Sequence, residues 1–411
     1  MAEPFPREGL PLEEARSRVL AALSPLAGSE QLPLAACLGR VSVEPCRASE
    51  AVPGFRAAIM DGYAISDADP PAIGSAWRLA GRSAPAAPFA AALKAGEAIR
   101  ILTGAPLPAG ALRVLPQELV RVEGEAVRLV GEAGANPWIR AADEEAAPGQ
   151  ELLAAGVRLG PADLGRLAGC GVAALAVRRR PRLGVLISGD ELVPAGQARG
   201  PGAIWESNGT LLEALLLRLG YGVAERRLVA DQPAALALAL EELAAGCDVV
   251  VSTGGVSAGD ADWIRPLLAE RGAVDFWKLF LKPGRPFAFG HLGGKPFFGL
   301  PGNPVAAAIT ALQLLWPALQ ALEGAEPELL PRLRVRLAAP LKRGAGRPEL
   351  ARARLQVGEA GELLALVEGS QASSRIGSLQ GADLLLEIPA ELGALEAGTE
   401  LWAQLLRLGV F

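Results

Sequence analysis

From residue 183 onward the chain alternates short apolar runs with helix-patterned segments, and this alternation constrains the fold more than any other feature. Residues 184–192 read GVLISGDEL, a buried-type strand that ends in Ser188-Gly189-Asp190-Glu191. The spacing predicts a helix over 211–219, preceded by Ser207-Asn208-Gly209-Thr210, whose Ser, Asn or Thr offers an N-cap. A strand over 223–229 leads to Asp231, a helix over 233–245 is ended by Gly246, and a further strand covers 248–252. Strands joined through helices pair in parallel, so this βαβαβ order predicts an α/β domain built on an open, doubly wound parallel sheet.

The last of these strands runs into a glycine turn. Residues 248–262 read DVVVSTGGVSAGDAD: a β-branched run, then Ser252 and Thr253, the Gly254–Gly255 pair, and two carboxylates, Asp260 and Asp262, delivered to the next helix. Glycines let the backbone approach a ligand closely, and unpaired N–H groups at a helix start favour an anion. The same turn is also how many parallel α/β units are simply connected. In such sheets ligands sit at the C-terminal strand ends, where Asp190, Glu191, Asp231, Asp260 and Asp262 all fall. Converging carboxylates repel unless a cation sits among them, which points to a metal-assisted site, although some of these acids are expected to cap helices instead. Further on, residues 276–289 read FWKLFLKPGRPFAF and place Lys278, Lys282 and Arg285 around a Pro-Gly turn. Both signs of charge on neighbouring loops suit a phosphorylated or oxyanionic substrate that also carries a metal; the plainer alternative is a basic surface hairpin. Leu300-Pro301-Gly302-Asn303-Pro304 then forms a rigid turn opening a long apolar helix, with Pro304 suited to its first turn.

Composition bounds the remaining possibilities. A chain of 411 residues, 51% hydrophobic and 21% charged, is globular and long enough for two to four domains. Its net charge of −5 gives no general electrostatic reason to bind nucleic acid or an anionic membrane. Four scattered cysteines and the single His291 exclude a Cys/His zinc site and a His-based triad, and fit a reduced, cytoplasmic setting. The N-terminal residues carry acids and prolines where a signal peptide needs a basic and then apolar run. The long uncharged stretch over 297–322 is interrupted by prolines and reads as a buried helix rather than a membrane span.

Upstream, residues 12–26 carry Leu12, Ala15, Val19 and Leu23 at helical spacing. Residues 70–130 break into short β-like pieces at 98–102, 113–115 and 126–130, which predicts a small separate β domain. Asp61 in MDGYA reads first as a turn residue, with a carboxylate pointed into a cleft as the alternative, and Thr103 either donates to a ligand oxygen or satisfies its own turn. Residues 136–149 read as a polar linker, 152–177 carry helical spacing at Leu164, Leu167 and Ala168, and the basic run 178–182 marks a boundary near 180. After about residue 328, alternation at Leu333, Val335 and Leu337, at Leu363, Leu364 and Leu366, and over 384–388 predicts a C-terminal β domain, whose polar loop over 370–378 is placed to reach a ligand.

Taken in order, MDGYA, TGAPLP, SGDEL, STGGVSAGDAD, KPGRPFAFG and GLPGNPVAA resemble the molybdopterin molybdenumtransferase family, the MoeA and gephyrin E-domain proteins, over essentially the whole chain. The resemblance implies an elongated N-terminal domain (1–50 with 145–180), an inserted β-rich domain (51–144), a molybdopterin-binding α/β domain (181–327) and a C-terminal β domain (328–411). It implies a homodimer with its active cleft between subunits, and insertion of molybdenum from molybdate into adenylylated molybdopterin, with Mg²⁺ and release of AMP. Carried over by motif, the catalytic residues are Asp61, Thr103, Asp231, Asp262, Lys278 and Lys282, with Glu191, Asp231 and Asp262 as metal ligands. Contacts to the pterin substrate fall to Ser252, Gly254, Gly255, Ser257, Asn208, Arg285, Pro301, Asn303, Ser373 and Ser378. Molybdopterin adenylyltransferases and recipient molybdoenzymes are the implied partners.

The chain departs from the family pattern at several points. Arg56 and Ala58 replace an acid and a serine before MDGYA, Glu145 stands where the GED loop has Asp, and Glu206 stands where the IxDxN-type stretch has Asp. In the last domain QAS (371–373) and GSL (377–379) replace QGS and SSL. Two other readings are a molybdopterin adenylyltransferase, whose TGGTG turn differs from Thr253-Gly254-Gly255-Val256-Ser257, and a non-catalytic carrier or scaffold, which would have no need of Asp231, Asp262, Lys278 and Lys282 together.

Overall fold

The computed structural model describes residues 9–255 and 263–406. Asp260, Asp262 and Ser257, all expected at the site, lie outside the described residues. The chain divides into two compact units, the smaller made of residues 31–38 and 42–175 and the larger of the remainder.

The smaller unit is built on a six-stranded sheet: β1 (Gly62–Ile65), β2 (Ala76–Ser83), β3 (Glu97–Ile101), β4 (Arg113–Pro116), β5 (Val120–Glu123) and β6 (Ala126–Leu129), in the order β4-β1-β3-β2-β6-β5. Alternate residues serve two cores. Ala64, Ile99, Ile101 and Val114 pack on one side, and Ile65, Ala98, Leu115, Val127 and Leu129 on the other, as the period of two in an extended chain requires. Gly62 opens the central strand, paired with Ile101 on one flank and Pro116 on the other. A Cβ there would lie 2.0 Å from the Leu115 carbonyl oxygen, so the glycine of MDGYA is a requirement of strand approach. Helical spacing in 152–177 condenses into one helix, Pro161–Gly169, with its proline in the first turn and Asp163 Oδ2 accepting the Gly160 N–H at 2.8 Å.

The larger unit holds the expected α/β domain. Strands β7 (Leu183–Ser188), β10 (Val223–Val229), β11 (Val249–Thr253) and β14 (Lys295–Leu300) pair in parallel in the order β10-β7-β11-β14. The sheet is extended by two antiparallel strands, β13 (Ala288–Leu292) and β12 (Gly272–Trp277), so the basic segment 278–287 connects two strands of the same sheet. A short parallel pair, β8 (Leu192–Val193) and β9 (Ile204–Trp205), forms a separate two-stranded ribbon.

The central strands are apolar throughout because both faces are covered. Val185, Ile187, Val249, Val251, Phe298 and Leu300 point into one core with helix α2 (Asn208–Arg218) and the long helix α5 (Pro304–Glu323). Leu186, Val250 and Phe297 point into the other, against α3 (Pro233–Gly246) and α4 (Ile264–Arg271). Each such side chain contributes roughly 1.5–3 kcal/mol when fully buried. Helix α5 is long and apolar enough to cross a membrane by composition, yet 94% of its most apolar window is buried inside the protein. Its middle, Ala311–Leu315, widens into a π-helical turn. There Arg16, from the first helix α1 (Leu12–Ala21), donates from Nε to the Gln313 carbonyl at 3.0 Å and from Nη2 to Gln313 Oε1 at 3.0 Å.

The basic run 178–182 has a structural use. Arg179 grips the Asp248 carboxylate with two nitrogens at 2.7 and 3.0 Å, and the Arg182 N–H adds a third bond at 2.9 Å, pinning the entry to β11. Asp248 is held below the usual carboxylate range, first by Arg179.

The C-terminal β domain is a closed five-stranded barrel, β15 (Arg332–Leu337), β17 (Leu363–Leu366), β16 (Glu349–Val357), β18 (Leu384–Ile388) and β19 (Glu400–Leu405) in circular order. Val335, Leu337, Ala351, Leu384, Leu386 and Ala403 fill it. In β17 the inward residue is Ala365, whereas Leu363 is 37% exposed. Leucines on both sides of Ala365 obscure the alternation there: the face is set by register with β16, where Leu355 opposes Ala365.

Candidate functional site

Four parallel strands deliver four loops to one edge of the sheet, and between them lies a cleft of about 860 Å³. Its lining includes Gly189 and Glu191 after β7, Asp231 after β10, Gly254 and Gly255 after β11, and Pro301, Gly302 and Asn303 after β14. Lys282 and Arg285 from the β12–β13 connection and Gln371, Ser373 and Ser374 from the barrel close the other side.

The glycine turn is fitted to its neighbour. Gly254 has φ +86°, and a Cβ there would lie 2.6 Å from the Ser188 carbonyl oxygen, so the β11 turn can lie against the end of β7 only without a side chain. Asn208, in the first turn of α2, locks this edge together: its Nδ2 donates to Thr253 Oγ1 at 3.2 Å and to the Gly302 carbonyl at 2.8 Å. Its Oδ1 is buried without a hydrogen-bond partner. Of the Ser, Asn and Thr expected as caps, Ser207 holds the N-cap position of α2, but the capping bond comes from elsewhere. Ser207 makes no side-chain cap bond, and Glu206 instead accepts the Gly209 N–H at 2.7 Å, the longer acid reaching back to the helix start.

Asp231 is the electrostatically unusual member. It is half-buried, its N–H is taken by Asp190 Oδ1 at 2.9 Å, and its own Oδ1 is buried with no hydrogen-bond partner. Burial raises its carboxyl above the usual range, the Ser188 hydroxyl opposes the rise, and the charges of Asp190 and Glu191 add to it. Among the described residues no three His, Cys, Asp or Glu side chains form a group that would hold a metal unaided.

Lys282 Nζ lies 3.0 Å from Glu349 Oε1, on the barrel strand β16, and the Lys282 backbone bonds both ways with Pro348 and Leu350. Asn303 Nδ2 donates to Ser373 Oγ at 3.0 Å, and the Val305 N–H to the Ser373 carbonyl at 3.1 Å, so the polar loop is tied to the start of α5. Gln371 clasps the Arg352 backbone at 2.8 and 3.2 Å.

Three expected residues sit elsewhere in the same unit. Ser252 is buried within β11, and its Oγ has no hydrogen-bond partner. Lys278 has φ +74° and exchanges backbone bonds with Phe287 and Leu10, away from the cleft lining. Ser378 accepts from Arg352 Nε at 3.1 Å and lines a separate hollow of about 190 Å³ that also holds Arg352, Arg354 and Arg375. Glu206, Trp205, Arg347 and Gln371 line the cleft without having been singled out as site residues. Position after a strand end reveals loop acids, but it does not reveal which barrel residues fold back.

On the smaller unit, Asp61 and Thr103 face each other. The Thr103 N–H and Oγ1 both donate to Asp61 Oδ1, at 2.7 and 2.8 Å, and these two bonds, the backbone one first, hold Asp61 below the usual carboxylate range. Around the departures, Glu145 pairs with Arg166 at 3.1 Å and Arg56 donates to the Ala111 carbonyl at 3.0 Å.

This arrangement, a doubly wound domain with its cleft at the strand ends and a β-barrel loop folded onto it, defines a multidomain protein of the molybdopterin-binding type. Residues 184–321 match the model of a probable molybdopterin binding domain, residues 10–171 that of the MoeA N-terminal region (domain I and II), and residues 334–406 that of the MoeA C-terminal region (domain IV). The chain belongs to the MoeA family. It is 33% identical over 391 residues to a molybdopterin molybdenumtransferase of Haemophilus influenzae, covering 95% of this chain and 96% of that one. It is 33% identical over 308 residues to molybdopterin molybdenumtransferase 2 of Mycobacterium tuberculosis, covering 74% and 75% of the two chains. The crystal structure of a molybdopterin biosynthesis moeA protein from Pyrococcus horikoshii superposes with a TM-score of 0.80 at 26% identity, over 97% of this chain and all of that one.

Proposed function

We propose that this chain is a molybdopterin molybdenumtransferase, inserting molybdenum from molybdate into adenylylated molybdopterin and releasing AMP. The observation that carries the reading is the juxtaposition on one cleft of a carboxylate with an unused buried oxygen, Asp231, and the cations Lys282 and Arg285. Named relatives matching nearly the whole chain support it.

A Mg²⁺ ion fits the residues present. Such ions are commonly held by one or two carboxylates together with substrate phosphates rather than by an all-protein cage, and Glu191 and Asp231 line the cleft as such a pair. Asp231 Oδ1, buried and without a partner, is the kind of hard oxygen donor the ion requires. When bound, the ion supplies Lewis-acid stabilisation of charge on phosphate oxygens. The remaining work falls to the protein. Backbone N–H groups of the Gly254–Gly255 turn and the cations of Lys282 and Arg285 hold phosphate and molybdate oxygens, and the paired Asn303 and Ser373 fix the cleft wall. Asp61, Thr103, Lys278, Asp262, Ser257 and Ser378 remain proposed site residues on their motif matches alone. A homodimer, a cytoplasmic setting, and adenylyltransferase and molybdoenzyme partners belong to the same reading and rest on the family resemblance.

The test is to incubate the protein with adenylylated molybdopterin, molybdate and Mg²⁺ and follow AMP. Release that requires molybdate and is lost in Asp231→Asn supports the reading. Tight binding of the adenylylated pterin without release replaces it with a carrier role.

A further inference from the structure

Trp205 is a large aromatic side chain left 49% exposed while lining the cleft. An indole offers a large π-face, and this one is held partly open at the rim of the cleft. Three contacts keep it in place. Its backbone belongs to β9, paired in register with Val193 in β8. Its Nε1–H donates to the Gln197 carbonyl at 2.9 Å, so the edge of the ring is fixed. The Arg199 guanidinium lies over the ring at 4.0 Å from its centroid, covering one face by cation–π attraction. A pinned edge and one occupied face leave a rigid indole with a single face to offer. The ribbon also sets the ring near the charged end of the cleft, because the Ile204 N–H bonds to the Glu191 carbonyl at 2.7 Å and Glu206 bonds back to Val193 at 2.8 Å.

We propose that Trp205 is a stacking shelf for one of the two planar nitrogen heterocycles of the substrate, adenine or pterin, with Arg199 as its backing. This rests on the function proposed above and adds a specificity-determining residue to it. Aromatic platforms suit flat heterocycles because stacking needs only a π-face, while the Gly254–Gly255 turn, Lys282 and Arg285 of the same cleft hold the phosphate end. No bond is made or broken at Trp205; its part is binding and orientation.

The experiment titrates AMP and, separately, molybdopterin into the full-length protein and into Trp205→Ala and Trp205→Phe, by calorimetry and by tryptophan emission. Stacking of this kind predicts that Trp205→Ala weakens one of the two ligands by about tenfold or more and leaves the other within about twofold, while Trp205→Phe keeps most of the affinity. The selective ligand identifies the heterocycle. Its quenching of tryptophan emission shrinks in Trp205→Phe. If Trp205→Ala binds both ligands as the parent does, or loses both equally with Trp205→Phe behaving alike, the shelf is overturned and the residue only supports its ribbon. A parent protein that binds neither ligand overturns the proposed function and the shelf together.

Discussion

Asp231 and Asp61 are two aspartates carried by two motifs of one family, and the fold treats them in opposite ways. Asp61 sits in a turn where one of its oxygens receives two hydrogen bonds from Thr103, and its acidity is strengthened. Asp231 sits half-buried beside Asp190 and Glu191 with one oxygen unserved, and its acidity is weakened. A carboxylate with an oxygen already engaged by a neighbouring loop, as Asp61 is by Thr103, stabilises the fold. One kept desolvated with an oxygen unserved costs stability, and that cost is recovered when a cation or a ligand donor arrives. Glu206 belongs with Asp61 in this respect, since its oxygen is used on the Gly209 N–H.

The largest effect is expected at Asp231. Asp231→Asn is expected to reduce molybdate-dependent AMP release by about 10²-fold while leaving thermal stability equal or higher, because a buried repulsive charge is removed. A variant that lost stability along with activity would place Asp231 among the structural acids instead. Mg²⁺ sharpens the point: it should raise the melting temperature of the parent protein and not that of Asp231→Asn, as ligand linkage requires.

Next in size is Glu206. Glu206→Ala removes the α2 cap and is expected to cost about 1 kcal/mol in denaturant unfolding, with Glu206→Gln retaining part of it. Unchanged stability would show that the cap bond is not what the longer acid is for.

The two aspartates should also tilt stability against pH in opposite senses. Asp231, with its folded-state pKa raised, takes up protons in the folded state first, so its contribution to stability falls as pH rises from the unfolded carboxylate pKa through the folded one. Asp61, with its folded-state pKa lowered, contributes stability above the unfolded pKa that is lost as pH falls through the folded one. Unfolding curves of Asp231→Asn and Asp61→Asn against the parent between about pH 3 and pH 7 should therefore diverge from it with opposite slopes. The smallest expected change is local: Thr103→Val removes one of the two bonds and should move the Asp61 carboxyl back toward its ordinary range by NMR titration, with the turn kept by the remaining N–H bond.

How far the sequence carries can be seen residue by residue. Strand ends at Ser188 and Thr253 are readable because a parallel strand buried on both faces must be apolar along its length and then stop at polar or glycine residues, whereas the edge strand ending at Val229 alternates with polar residues. Pro304 at the start of α5 follows from its missing N–H. Among Ser, Asn and Thr of 207–210 the sequence does not choose a cap, and Glu206, reaching from one residue before the N-cap position Ser207, takes the Gly209 N–H instead. Lys278 and Lys282 look equivalent in the motif, yet their separate backbone pairings send only Lys282 to the cleft.

By itself the sequence determined the α/β alternation, the two β-rich regions and the family, since each rests on local periodicity or on ordered motifs that need no distant contact to be recognised. Only the tertiary structure decided which acids are engaged and which stay open, that the loop over 370–378 lies across the start of α5, and that Trp205 is held at the cleft rim. Those outcomes depend on desolvation and on hydrogen bonds between residues far apart in the chain, such as Asn303 with Ser373, and such pairings exist only once the chain has folded.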